Sequence, residues 1–194
     1  MKHLVIIGTG NISQIVHWYA TLSKDYMVEW DIKCHLDDVL NYQIEPDDVF
    51  ICAEAKPNNR VEFSSVIREK GGRFINIIHP NANISPTAQI GTGVIVGAFS
   101  TISINTTIKD DVIIQDHCNV GHDGIVGEGS HLYVGVKLCG RNTIGTKTSV
   151  YTGAVVYPDV KVGEGCVVGA GSVVSRKVKN GETVLGNPAK IIEL

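Results

Sequence analysis

The chain carries no run of Lys or Arg: 17 basic against 20 acidic side chains leave a net charge of −3 over 194 residues. The dense positive field that supplies most non-specific nucleic-acid affinity is missing, so nucleic acid is excluded as a partner. Long apolar runs are missing too. The N-terminal "HLVIIG" is too short for a signal-peptide core or a bilayer span, and a cytoplasmic protein without membrane contact is expected. The five cysteines, at positions 34, 52, 118, 139 and 166, are odd in number and form no CxxC pair. That suits neither a disulfide framework nor a zinc knuckle and predicts reduced, mostly buried thiols. Against these absences, 43% hydrophobic residues give enough material for a substantial core.

Two periodicities divide that material. From Met1 to about Pro80, short apolar strands alternate with amphipathic stretches. The order is "HLVIIG", a helix from Asn11 to Ser23, an extended "VEWDIKCHL", a buried "DDVFICA", a helix from Asn58 to Lys70 closed by Gly71 and Gly72, and a strand in "RFINIIHP". This predicts a small Rossmann-like parallel sheet with right-handed crossovers over residues 1–80. From Ile84 to Val174 every sixth residue is Ile, Leu or Val, sixteen hexads without an insertion, and four residues after each sits Ala, Val, Ser, Thr, Cys, Gly or Asn. A period of six fits neither an amphipathic helix nor a hairpin ladder and is the signature of a parallel β-helix, which assigns residues 81–194 to a second domain.

This half resembles the hexapeptide-repeat acyltransferases, whose left-handed β-helix puts three hexads into each triangular coil. The resemblance implies five coils and a third from the sixteen hexads, with the recurring aliphatic residue pointing inward and the small residue four later packed beside it, so Cys118 and Cys166 are expected in the core. It also stacks residues eighteen apart. His122 then belongs to the column Pro86, Ile104, His122, Gly140, Pro158, where it is the only ionisable member. Gly140 is expected to leave a side-chain-sized gap beside the imidazole in which a ligand can approach.

With "IHPNANIS", "GHDGIVGEGSH" and "GNPAK" the likeness covers essentially the whole chain. It narrows to the sugar acetyltransferases that pair a nucleotide-sugar domain with a β-helix, among them the bacterial UDP-4-amino-sugar N-acetyltransferases and the sialic acid O-acetyltransferase-like proteins. The resemblance implies His122 as general base, Asp123 as its orienting carboxylate and His131 beside the acetyl-CoA thioester. It places Asn187, Pro188 and Lys190 near that cofactor, with Lys190 either meeting a CoA phosphate as a point charge or simply solvated. His131 lies nine residues, half a coil, from His122, so the two are expected on different faces of one prism. The homotrimer usual in the family would join them across a subunit boundary.

These residue types suit the reaction. A base must take a proton from an attacking amine or hydroxyl near neutral pH; histidine's reference pKa of about 6.5 needs little tuning, and such catalysis is worth roughly 10²–10⁴-fold. Backbone N–H groups near Gly140 are candidate donors to the developing oxyanion. Cys139 lacks an evident base, which favours direct attack on the thioester over an acyl-enzyme.

The N-terminal site is less specific. "IIGTGNIS" sits where a strand feeds a helix, a place where backbone N–H groups bind anions, so Gly8, Gly10 and Asn11 are candidate substrate contacts. As a dinucleotide fingerprint it lacks the third glycine, and the family more often has a second glycine and a histidine where Thr9-Gly10-Asn11 stand. "HLDD" offers Asp37 and Asp38 to a nucleotide base or ribose, with an N-cap or turn role as the alternative. Arg60, early in the second helix, is a candidate for a phosphate or is merely solvated.

The resulting expectation is an acetyl-CoA-dependent N-acetyltransferase acting on an amino group of a nucleotide-linked sugar, with UDP as the expected nucleotide and no metal. O-acetylation of a sugar is the runner-up. A zinc enzyme of the γ-carbonic anhydrase kind would use His117 and His122, but residues 84–116 hold no histidine for a third ligand. A repeat serving only as an oligomerisation rod is a further alternative.

Overall fold

The computed structural model describes residues 3–22, the backbone of 31–36, and residues 39–193. Its first part is a four-stranded parallel sheet. Strand β1 (His3–Ile7) leads into helix α1 (Asn11–Leu22), followed by β2 (Asp31–Leu36), β3 (Asp48–Cys52), helix α2 (Pro57–Glu69) and β4 (Arg73–Phe74), in the spatial order β2-β1-β3-β4. Leu4 to Ile7 and Val49 to Cys52 are all buried, as continuous apolar runs must be when both faces of a parallel sheet are covered. Helix α2 starts with Pro57 in its first turn and ends where Gly71 takes φ 88° and its N–H donates to the Arg68 carbonyl.

The remainder is the left-handed β-helix that the period of six predicts. Two-residue parallel strands pair eighteen residues apart, as in Asn83–Ile84 with Thr101–Ile102 and Asn119–Val120 with Lys137–Leu138. The second residue of each pair points inward, and these Val, Ile and Leu residues fill the interior together with Cys118 and Cys166. Most corners place a residue in the left-handed region. Where glycine is absent, Phe99, Asn105, Asp111, His117, Asp123, Arg141, Lys147 and Asp159 adopt it, with φ of 54–63°.

The coil is longer than its sixteen hexads. Strand β5 (Ile77–Ile78) lies inside "RFINIIHP", read from sequence as one strand of the first unit, yet it pairs with Ile95–Val96 of the coil, while only Arg73–Phe74 joins the parallel sheet. The passage between the units therefore falls a few residues before 81. At the far end Thr183–Leu185 continues one face, and Lys190–Ile192 folds back antiparallel on it.

One of the three coil faces is covered by the first unit. Its strands are Ile77–Ile78, Ile95–Val96, Ile113–Ile114, His131–Leu132, Ser149–Val150 and Val167–Val168. The outward residues Ile77, Ile95 and Ile113 are buried against Val16, Tyr19 and Ala20 of α1, which is thereby sandwiched between the sheet and the coil. The Tyr19 hydroxyl donates to Asp116, and Asp116 Oδ1 also accepts the N–H of Ala98 at 2.7 Å.

Candidate active site

The turn after Asn119–Val120 projects His122 and Asp123 from an exposed corner. The backbone at Asp123 is left-handed (φ 55°), which an aspartate tolerates and which brings its carboxylate alongside the ring. Nδ1 of His122 donates to Oδ2 of Asp123 at 2.7 Å, with the two side chains 45% and 47% exposed. The tautomer with the proton on Nδ1 leaves Nε2 with a free lone pair, as a base requires. The Asp123 carboxyl is held below the usual carboxylate range, first by this bond and then by one from Asn105.

Gly140 does not leave an empty gap. A β-carbon added there would collide with Nε2, Cε1 and Cδ2 of His122, so the imidazole itself occupies the space and rests on the glycine. The expectation of a ligand-sized opening is corrected to that of a seat for the base. Any larger residue at 140 would displace the ring.

His131 is also placed differently from its expected role. It follows Ile77, Ile95 and Ile113 on the covered face and has no exposed surface, so no cofactor arriving from solvent reaches it within the protomer. Its Nδ1 bonds with the Ala55 carbonyl at 3.2 Å, its ring stacks on Tyr133 at 3.8 Å, and Tyr133 stacks on Tyr151 at 4.5 Å. Burial, reinforced by the nearby Arg60 charge, drives the imidazole down to about 3 and keeps it neutral.

Arg60 is corrected as well. It is fully buried, and its five N–H donors are spent on carbonyls of both units: Nε on Asp111 at 2.8 Å, Nη1 on Glu54 at 2.6 Å and Ala55 at 3.2 Å, Nη2 on Gly129 at 2.5 Å and Ser130 at 3.3 Å. None is left for a phosphate. Beside it Arg68 is bidentate to the buried Asp111 at 2.5 and 3.0 Å, with its guanidinium over Phe74. The two arginines staple the units together.

At the head of α1, Gly8 takes φ 115°, and a β-carbon there would press on Ser13 and on the backbone of Ala53 and Glu54; it is needed for close packing. Gly10 and Asn11 are exposed, and nothing lies within 4 Å of a β-carbon at Gly10, so this end of the loop is open. Asp37 and Asp38 lie outside the described residues. In the tail, Asn187 and Pro188 form the turn between the last two strands, joined by a cis peptide bond. Lys190 lines a cavity of about 300 Å³ with Arg176 and Lys177, two cations that the sequence reading did not single out.

Two further residues of the histidine corner were missed. Arg141 and Asp159 continue the column of Asp123, and Arg141 Nε and Nη2 bind the Asp159 carboxylate at 2.7 and 2.9 Å. Their eighteen-residue spacing was the available signal. Among the described residues, the one group of three metal-ligating side chains close enough to share an ion is His3, Glu45 and Asp48, which contains neither His117 nor His122. Cys118 and Cys166 are buried free thiols, the former pushed up to about 11 by burial, and Cys139 is half-buried.

The model of the bacterial transferase hexapeptide family (six repeats) matches residues 143–176. The GDP-perosamine N-acetyltransferase of Escherichia coli O157:H7 is 35% identical over 146 residues, 73% of this chain and 66% of that protein. An acyl-[acyl-carrier-protein]--UDP-N-acetylglucosamine O-acyltransferase of Chlamydia caviae is 28% identical over 59% of this chain and 39% of its own length. The chain thus spans less than two thirds of the length of these relatives. Among solved structures, PerB from Caulobacter crescentus in complex with CoA and GDP-perosamine superposes with a TM-score of 0.90 at 29% identity, covering 100% of this chain and 98% of that one. The acetyltransferase domain of PglB from Neisseria gonorrhoeae in complex with acetyl coenzyme A gives 0.90 at 28% identity, covering 98% and 99%. With its unbroken coil of hexads, the chain is similar to the hexapeptide-repeat sugar acetyltransferases.

Proposed function

We propose that the protein transfers the acetyl group of acetyl-CoA to the amino group of a nucleotide-linked amino sugar, with His122 as general base. The observation that carries this is the His122–Asp123 pair, exposed at a corner with Nδ1 hydrogen-bonded to the carboxylate and the ring seated on Gly140. In this reading His122 Nε2 takes the proton as the neutral amine attacks the thioester carbonyl. A C–N bond forms, the C–S bond breaks, and the proton passes to the departing CoA thiolate. Asp123 holds the ring and balances its charge while protonated. Arg176, Lys177 and Lys190 offer point charges to the CoA phosphates, and the open Gly10–Asn11 loop faces the nucleotide.

The relatives named for GDP-perosamine support a guanosine-linked acceptor over the uridine-linked one expected from sequence. A hydroxyl acceptor is the second reading, supported by the O-acyltransferase relatives. A homotrimer also belongs to the proposal. The offset of His131 no longer argues for it, since that ring is enclosed in its own protomer; the support is the exposed Phe99, Val134 and Ile104 at the corners flanking the face that carries Asn119. Incubating the purified protein with acetyl-CoA and either GDP-perosamine or a UDP-linked amino sugar, with detection of free thiol, tests the reading. Thiol release no faster than background hydrolysis with every acceptor overturns it.

A further inference from the structure

One coil below Asp123, the same corner holds Asn105. The two residues are eighteen apart and share a left-handed backbone, with φ of 55° at each, so their side chains leave the corner in parallel. The backbone fixes their spacing: the N–H of Asp123 donates to the Ile104 carbonyl at 3.0 Å, and that of Asn105 to Thr87 Oγ1 at 3.0 Å. Asn105 Nδ2 donates to Asp123 Oδ1 at 3.1 Å, on the oxygen that His122 does not use. Arg141, one coil above, commits Nε and Nη2 to Asp159 and acts on Asp123 through its charge, not through a hydrogen bond. The carboxylate therefore receives one donor on each oxygen.

We infer that Asn105 is a positioning residue for His122, acting through Asp123, and that Asp159 serves the same end by keeping Arg141 off that carboxylate. The inference rests on the reading of His122 as general base. An exposed carboxylate rotates freely and shares its oxygens with water; anchoring Oδ1 leaves Oδ2 facing Nδ1, and that bond selects the tautomer whose Nε2 is bare. The backbone alone does not ask for asparagine. Aspartate suits a left-handed turn equally well, as Asp111, Asp123 and Asp159 show, but at 105 it would set acceptor against acceptor. The amide donor is what distinguishes this position.

Asn105→Gly keeps the left-handed turn without the donor, and Asn105→Asp keeps the shape with the donor replaced by an acceptor. Two readouts apply to both variants. The first is the ¹⁵N shifts of the His122 ring in ligand-free, histidine-labelled protein, assigned with His122→Ala. The second is the pH profile of kcat and the KM for acetyl-CoA in the thiol-release assay. Both variants should lose population of the Nδ1–H tautomer, and kcat should fall about ten-fold, a part of the roughly 10²–10⁴-fold that a general base supplies. The acetyl-CoA KM and the melting temperature should hold. Asp159→Ala should act in the same direction, by about three-fold, as Arg141 turns to Asp123 and competes with the ring. A wild-type tautomer ratio in Asn105→Gly overturns the inference whatever the activity. Tautomer loss in a protein that transfers no acetyl group leaves the positioning role intact and instead overturns the proposed function.

Discussion

His122 and His131 stand nine residues apart in one stretch of coil, and the fold gives them opposite environments. His122 lies at a corner, half exposed, and its Nδ1 faces a carboxylate. His131 lies on a face roofed by the first unit, bonded to a neutral carbonyl and close to a buried cation, and is held neutral. Identical side chains thus become a candidate base and a packing element. In a coil, the position within eighteen residues decides chemistry more than proximity in the motif does.

Four measurements can break or sharpen that contrast. His122→Ala should lower kcat by roughly 10²–10⁴-fold while leaving the melting curve unchanged. Near-normal turnover would remove the distinction on the His122 side. Arg60→Met should spare the corner and weaken the junction around His131. Five carbonyls lose their donor, and a urea titration should show a loss of about 3–5 kcal/mol; a loss under about 1 kcal/mol would mean that the two units hold together without it. Gly140→Ala pushes the imidazole off its seat. Turnover should drop by up to about 10²-fold, the cost of misplacing a reacting group by about 1 Å, with stability nearly unchanged because the ring can swing into solvent.

The smallest effect is one of pH. His131 is pushed down to about 3 in the folded chain, against about 6.5 for an unfolded histidine. Between these values the unfolded chain binds a proton that the folded chain refuses. The stability contributed by the neutral ring is therefore complete above about 6.5 and is lost as pH falls, by about 2 kcal/mol at pH 5. Urea midpoints at pH 7.5 and pH 5 should diverge less in His131→Phe than in the parent chain. Equal divergence would show that His131 titrates freely and is not sealed.

Much of the coil was legible because its period is strict: Ile84 to Val174 fix the inward residues, and counting by eighteen finds the column of His122. The covered face left a weaker trace. Ile77, Ile95 and Ile113 occupy the outward place where Asn83, Thr101 and Asn119, or Gln89 and Thr107, stand on the other two faces. His131 is next in that apolar column, so its burial could have been read from the three isoleucines before it. Arg60 gave no such trace. A lone arginine on a helix carries no local sign that three of its five partners lie 51 to 70 residues away, and only the docking of two units reveals them. Nor does a glycine beside a histidine in a column say whether the space belongs to a ligand or to the ring; rotamer and turn geometry decide that.

A coil of eighteen residues restricts how such a chain can change length. Six residues removed would leave every aliphatic side chain pointing inward but carry each later residue round to the next face, so that a corner becomes part of a different edge. Eighteen removed would return every later residue to its own edge and cost one layer of the rod. Insertions and deletions are thus graded, multiples of six preserving the core and multiples of eighteen preserving the surface as well. One coil inserted after Asp159 would keep Asn105, Asp123 and Arg141 in line. It would move Lys190 about 4.8 Å farther along the axis from His122, and any molecule bridging the two would have to reach that much farther.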